Sequence, residues 1–346
     1  MKQEQVLTDR KDWIVPLRVL AAMAIVLIHV VAGGTSGSGG GLTGARLAVD
    51  EVVVPVLTRW AVPCFLMISG ALLLRPQKEV GLHKICRYLL RMVIVLAVFG
   101  FGFCILESVT ENGYRFSGTV ILSALQNLIA GKSWDHMWYV YMMIGLYILT
   151  PVLRSFTKAA DGKTMLFMLI MLFAFTIALP TVSKFFHVEI YNFVPIATYC
   201  VFYYLLGYAL SVWKLQTPVK WLLLLGGMLG FIGMLLLRLW GADVSIAGDN
   251  GFVALYSTGL FSLCIDNRSL GRLAKYRLVR SLSQCAFGIY LIHPLFLNIL
   301  YKVFGIYPDI LPVGVGEFLF WLAAFLAAYL VIFAVCQIPF VRKVLM

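Results

Sequence analysis

Charge is scarce in this sequence. Of its 346 residues 13% are charged, about half the fraction usual for a soluble domain. Acids are scarcer than bases, 16 against 28, which leaves a net charge of +12. There is no phosphate-cradling P-loop, no His-Glu-x-x-His helix and no Gly-x-Ser-x-Gly elbow. P-loop nucleotide hydrolysis, zinc proteolysis and the usual serine hydrolase are therefore poor readings. The seven cysteines, at 64, 86, 104, 200, 264, 285 and 336, are odd in number and scattered. None forms a Cys-x-x-Cys or Cys/His cluster with metal spacing, so they read as free, buried thiols without a catalytic or metal role.

What is present is apolar. The chain is 61% hydrophobic with a mean hydropathy of +0.92. That much apolar surface needs a solvent other than water, which predicts an all-α, polytopic integral membrane protein. Ten segments are long enough to cross with some tilt: 13–33, 53–74, 85–106, 137–153, 164–180, 193–212, 219–239, 250–265, 281–302 and 315–338. The eighth is the weakest, being short and polar at its start. The apolar stretch 117–130 contains Gln126 and Asn127 and reads as an interfacial or re-entrant segment. With the N-terminus inside, 21 of the 28 Lys/Arg fall on the inner side, and only Arg46, Arg59, Arg115, Lys132, Lys184, Arg238 and Lys302 fall outside. Such an excess orients the chain, with both termini cytoplasmic. The surplus of positive charge is thereby explained without nucleic acid. A cleaved signal peptide over 1–33 is the weaker alternative, since nine further spans follow and a histidine interrupts the run. No internal repeat or soluble appendage is visible, and 1–346 reads as one domain.

Within the first span, the run Arg18-Val-Leu-Ala-Ala-Met-Ala-Ile-Val-Leu-Ile-His29 places an ionisable group at each end of ten apolar residues. Eleven helical residues turn through about 1,100°, only about 20° past three turns, and rise about 16–17 Å. Arg18 and His29 therefore share a face, Arg18 near the cytoplasmic end and His29 in the outer half of the hydrocarbon. A histidine at that depth either packs with satisfied nitrogens or faces a cavity. Its alignment with Arg18 favours function: an elongated ligand with an anionic end at Arg18 and a reactive end at His29. Histidine is the side chain suited to take a proton from a hydroxyl near neutral pH.

This run resembles the Arg-x10-His pattern in the first helix of the membrane acyltransferase family 3. Further blocks follow in the family's order: Val62–Leu74 with its Ser-Gly pair, the basic segment Lys84–Arg91, His136–Arg154 closing on Pro-x-x-Arg, and Ser281–Pro294 ending in His-Pro. The set is similar to the short branch that includes enterobacterial common antigen O-acetyltransferase-like proteins. The resemblance implies transfer of an acyl group, acetyl or succinyl, from cytoplasmic acyl-CoA to a hydroxyl of a sugar or lipid-linked glycan outside a bacterial inner membrane. Acyl-CoA would be a co-substrate, with no permanently bound cofactor. Arg18 would hold the donor and His29 would serve the reaction. Many members carry Trp-Ser-Leu followed by a glutamate. Here Trp138 precedes Tyr139 and Val140, and Met142 and Met143 stand where acids would be, so a carboxylate role in this loop is doubtful.

Other residues carry two readings each. Lys84, Arg87 and Arg91, preceded by Arg75 and Lys78, are explained by topology and anionic lipid, and equally suit the donor's phosphates. An aromatic belt accounts for Trp134, Trp138 and Tyr139 but does not call for Asp135-His136, which makes His136 a candidate on the acceptor side. His293 precedes Pro294, whose ring frees the Tyr290 carbonyl; a structural role is favoured and a pocket role second. Ser69-Gly70 reads as close helix packing before a nucleophile. The run Gly33–Gly41 is a linker or a lid. A transporter or exporter is the competing function, though related halves are missing. A non-catalytic anchor would leave the Arg18–His29 alignment without a purpose.

Overall fold

The computed structural model describes residues 12–37, 44–77, 80–111, 113, 115–187, 198–241 and 246–345. Those residues form helices and connecting turns, with no strand among them. Helix is the expected answer for an apolar backbone that must satisfy its own N–H and C=O groups. The elements are α1 (Ile14–Gly37), α2 (Gly44–Leu73), α3 (Leu82–Thr110), α4 (Gly118–Ile129), α5 (Asp135–Ala159), α6 (Gly162–Phe186), α7 (Tyr199–Val212), α8 (Thr217–Leu239), α9 (Gly251–Cys264), α10 (Arg268–Arg272), α11 (Arg277–Val303), α12 (Val315–Val335) and α13 (Pro339–Leu345).

Eight of these, α1, α2, α3, α5, α6, α8, α11 and α12, are long and apolar enough to cross a membrane. Within the expected sixth and eighth spans stand α7 and α9, with 14 described helical residues each; residues 193–197 of the sixth lie outside the described residues. At about 1.5 Å per residue they cover about 21 Å, short of the hydrocarbon thickness. In place of the open loop read at Gly33–Gly41, α1 continues in helical conformation through Gly37; residues 38–41 lie outside the described residues, as does Lys78. Five cysteines are buried as expected, but Cys264 is half-buried and Cys86 is exposed.

The chain sorts into two compact units. One holds the residues up to Leu72 together with Asp161–Ile338; the other holds Leu73–Ala160 together with Pro339–Val344. In the first unit α1 packs against α2, α11 and α12. Backbone carbonyls of α1 accept from two aromatic side chains: the Trp321 Nε1–H donates to Met23 O at 3.0 Å, and the Tyr301 hydroxyl to Val30 O at 3.0 Å. Helix α2 crosses α7 at a point with no room for side chains. A Cβ on Gly70 would lie 1.7 Å from the Tyr204 carbonyl oxygen, and one on Gly207 would lie 2.1 Å from that of Met67. Ser69 beside it turns its hydroxyl onto Phe65 O at 2.9 Å, the back-bond typical of a helical serine.

In the second unit α3 packs against α5, with Tyr88 and Tyr147 rings 5.6 Å apart. The Pro-x-x-Arg that closes α5 has a local purpose here. Arg154 donates from Nη1 to Leu73 O at 2.5 Å and to Arg75 O at 3.0 Å, and Thr157 donates to Leu74 O at 3.0 Å. These are carbonyls at a helix end that lack intrahelical partners. Arg154→Ala is expected to destabilise the protein by about 1.5–3 kcal/mol, the range for hydrogen bonds from a charged donor. Arg154→Lys should recover part of the loss. Unchanged thermal melts in detergent for both variants would dismiss this role.

Candidate active site

His29 stands two turns from the C-terminal end of α1 and faces α11. Its ring lies 5.0 Å, centroid to centroid, from that of His293, tilted by 51°. His293 is fully buried, with Nδ1 3.0 Å from Ile289 O. A carbonyl can only accept, so Nδ1 of His293 is the nitrogen that carries the proton in this bond. One nitrogen of His293 meets the backbone, and its ring lies against His29. Tyr290, one turn earlier, lies 6.3 Å from His293.

Two of the helix bends of the first unit pack against α1. Residues Ala48–Val53 of α2 and Ile299–Val303 of α11 form π-helical turns. Such turns are found often at functional sites because they re-aim side chains. The turn in α11 brings Tyr301 onto α1, where a Cβ on Gly33 would meet its ring at 2.7 Å. Helix α2 is broken at Arg59-Trp60, and Arg59 is the charged side chain that acts on His29. Arg59 in turn is acted on by the charges of Arg238 of α8 and Glu51. Arg46 pairs with Glu317 at the start of α12 and donates to Leu311 O at 2.6 Å. Sequence reasoning treated Arg59 and Arg238 only as charges that set topology. The signal was available, since Arg59 interrupts an apolar span.

Arg18, half-buried, lies in the second turn of α1, with His29 on the same helical face. The element brought to that end of α1 is α10 with the turn after it. Gly271 sits against Asp12 and Trp13, which places the exposed Arg268, Arg272 and Lys275 in the segment that borders the start of α1.

The remaining candidates belong to the second unit. Lys84 and Arg87 are exposed on α3, Arg87 with Nη2 3.1 Å from His83 Nε2. Arg91 donates from Nε to Val344 O at 2.5 Å, which ties α3 to α13. His136 is buried in the turn that opens α5, 5.6 Å from the Phe103 ring, which itself stacks on Trp134 at 4.2 Å. Trp134 donates to Glu107 at 3.0 Å. Trp138 is exposed and Tyr139 half-buried.

An all-helical membrane protein with a half-buried histidine set against a buried one among its spans, and an arginine on the same helix face as the first, is the class that these features define. The acyltransferase domain model of acyltransferase family 3 matches residues 12–337 and runs through both units. The chain belongs to that family and is a membrane acyltransferase. No curated protein and no solved structure gives a significant match.

Proposed function

We propose that this protein takes an acyl group from acyl-CoA on the cytoplasmic side and transfers it to a hydroxyl of a glycan on the outer side of a bacterial inner membrane. The observation that carries the reading is the His29–His293 contact within the spans, on a helix whose other end presents Arg18. His29 is the catalytic residue. The acceptor oxygen attacks the thioester carbonyl carbon while its proton passes to a His29 ring nitrogen. The tetrahedral oxyanion then collapses, the carbon–sulfur bond breaks, and the CoA sulfur takes the proton from His29. His293, held by its bond to Ile289 O, fixes the orientation of the His29 ring. Such a base suits a reaction that moves one proton out and back.

Arg18 holds the donor's phosphates, and the basic segment 268–275 adds positive charge at the same end of α1. Lys84, Arg87 and Arg91 remain donor candidates of the second unit, as His136, Trp138 and Tyr139 remain acceptor candidates. Positive charge at the cytoplasmic ends accords with the Lys/Arg asymmetry. A phosphate can accept two hydrogen bonds from one guanidinium but meets only a point charge in lysine. Arg18→Ala is therefore expected to weaken CoA binding about tenfold or more, equivalent to about 1.5–3 kcal/mol. Arg18→Lys should weaken it less. Calorimetric titration with CoA reads both, and equal affinity for wild type and Arg18→Ala would remove Arg18 from the donor site. The function itself is tested by mass spectrometry of envelope glycans from a deletion strain. Loss of an acyl mass, restored by the wild-type gene, is expected; an unchanged glycan profile would overturn the acceptor class.

A further inference from the structure

The mechanism above leaves two arginines without a task. Arg59 stands at the break of α2, and Arg238 lies in the last turn of α8. The two segments are packed together, since Val56 and Met234 share one buried cluster with Ile246 and Val253. The positive charge of Arg238 acts on Arg59 and that of Arg59 on His29, and Glu51 is the acid that acts on Arg59. In both arginines the Nε atom is buried and has no hydrogen-bond partner among the described residues.

Two like charges held in packed segments repel, and a buried N–H without an acceptor is costly. A surface that only needed to hold helices together would do better with apolar residues. What completes such a pair is an anion with several oxygen acceptors, reached by two planar forks at once. Donor phosphates do not meet the need, because the account places them at the Arg18 end of α1, about 16 Å along the helix from His29.

We propose that Arg59 and Arg238 form a phosphate-binding subsite beside His29, and that the acceptor carries a phosphate or diphosphate group near the hydroxyl that is acylated. The proposal rests on the acyltransferase reading for the identity of the occupant. The site recognises the phosphate and not the sugar, so it selects acceptors still attached to a phosphate-bearing carrier over free neutral glycans.

The test is calorimetric titration of the purified protein in phosphatidylcholine nanodiscs with inorganic pyrophosphate, in the presence of saturating CoA. No acyl donor or acceptor is needed, so the subsite is measured even if the protein transfers nothing. Saturable binding is expected for wild type, weakened about tenfold in Arg59→Gln and in Arg238→Gln. Arg59→Lys, which keeps the charge, should be weakened less, and thermal melts confirm that each variant is folded. Equal affinity across folded variants would overturn the proposal. So would loss of the binding when CoA is added, which would assign the anion to the donor site. Displacement of pyrophosphate by phosphatidylglycerol in the nanodisc would also overturn it, by showing that the pair holds bilayer lipid.

Discussion

His29→Ala is expected to lower acyl transfer about a thousandfold, within the range for loss of a positioned general base, while the protein still inserts and folds. The fold should survive because the contacts that hold α1 lie elsewhere on it. Trp321 bonds the Met23 carbonyl and Tyr301 the Val30 carbonyl, and neither uses the His29 side chain. What is lost is a ring in contact with His293 and, in the proposed mechanism, the proton acceptor. His293→Gln should cost less, because it removes the support of the ring and not the base. Radiolabelled acyl transfer in membranes, with protein quantified by blot and melt, separates these cases. Normal acylation in the alanine variant would end the catalytic assignment.

The second large effect is structural. Gly207→Val is expected to prevent recovery of folded protein. The added Cβ would sit 2.1 Å from the Met67 carbonyl oxygen and 2.3 Å from its Cα. Backbone cannot yield as a flexible side chain does, so the helices must part. Overpacking in a tight core costs about 1–3 kcal/mol, and forcing two backbones apart exceeds that. Gly70→Val should fail in the same way from the opposite helix. Gly145→Val is the control, since nothing lies within 4 Å of its Cβ position. A monodisperse, normally melting Gly207→Val protein would show that α2 and α7 do not approach so closely.

The spans were legible because lipid imposes one rule on every residue that crosses it. Long apolar runs with few charges became long helices. The shorter runs were harder. Residues 193–212 and 250–265 are apolar enough to suggest full spans, yet α7 and α9 have only 14 residues each. Composition cannot tell a crossing helix from one packed inside its own protein, and ten of the α7 residues from Cys200 to Ala209 are buried. The glycine run from Gly33 suggested a loop, since glycine disfavours helix interiors. Helix α1 continues through it to Gly37, with Tyr301 packed where a side chain at Gly33 would stand.

Half of the candidate site was legible. Arg18 and His29 could be read because helical periodicity relates residues on one helix. His293 stood out as a histidine inside a span, but its place against His29 depends on how α1 and α11 pack, which no local pattern specifies. Arg59 was hidden by its own explanation, because the charge count used it for topology and asked nothing more. The contribution of α10 at the Arg18 end was hidden in the same way.

The central claim is that one membrane-embedded protein joins a donor on one side to an acceptor on the other through His29. CoA phosphates do not cross hydrocarbon cheaply, so the acyl group must pass and the nucleotide must stay. The direct measurement uses sealed vesicles of known orientation, with labelled acyl-CoA confined to the cytoplasmic face and a phosphate-linked glycan acceptor to the other. Label should reach the acceptor while CoA remains where it was added, and His29→Ala vesicles should show the same roughly thousandfold loss. Transfer only when donor and acceptor share one face, or equal transfer with His29→Ala, would contradict the account.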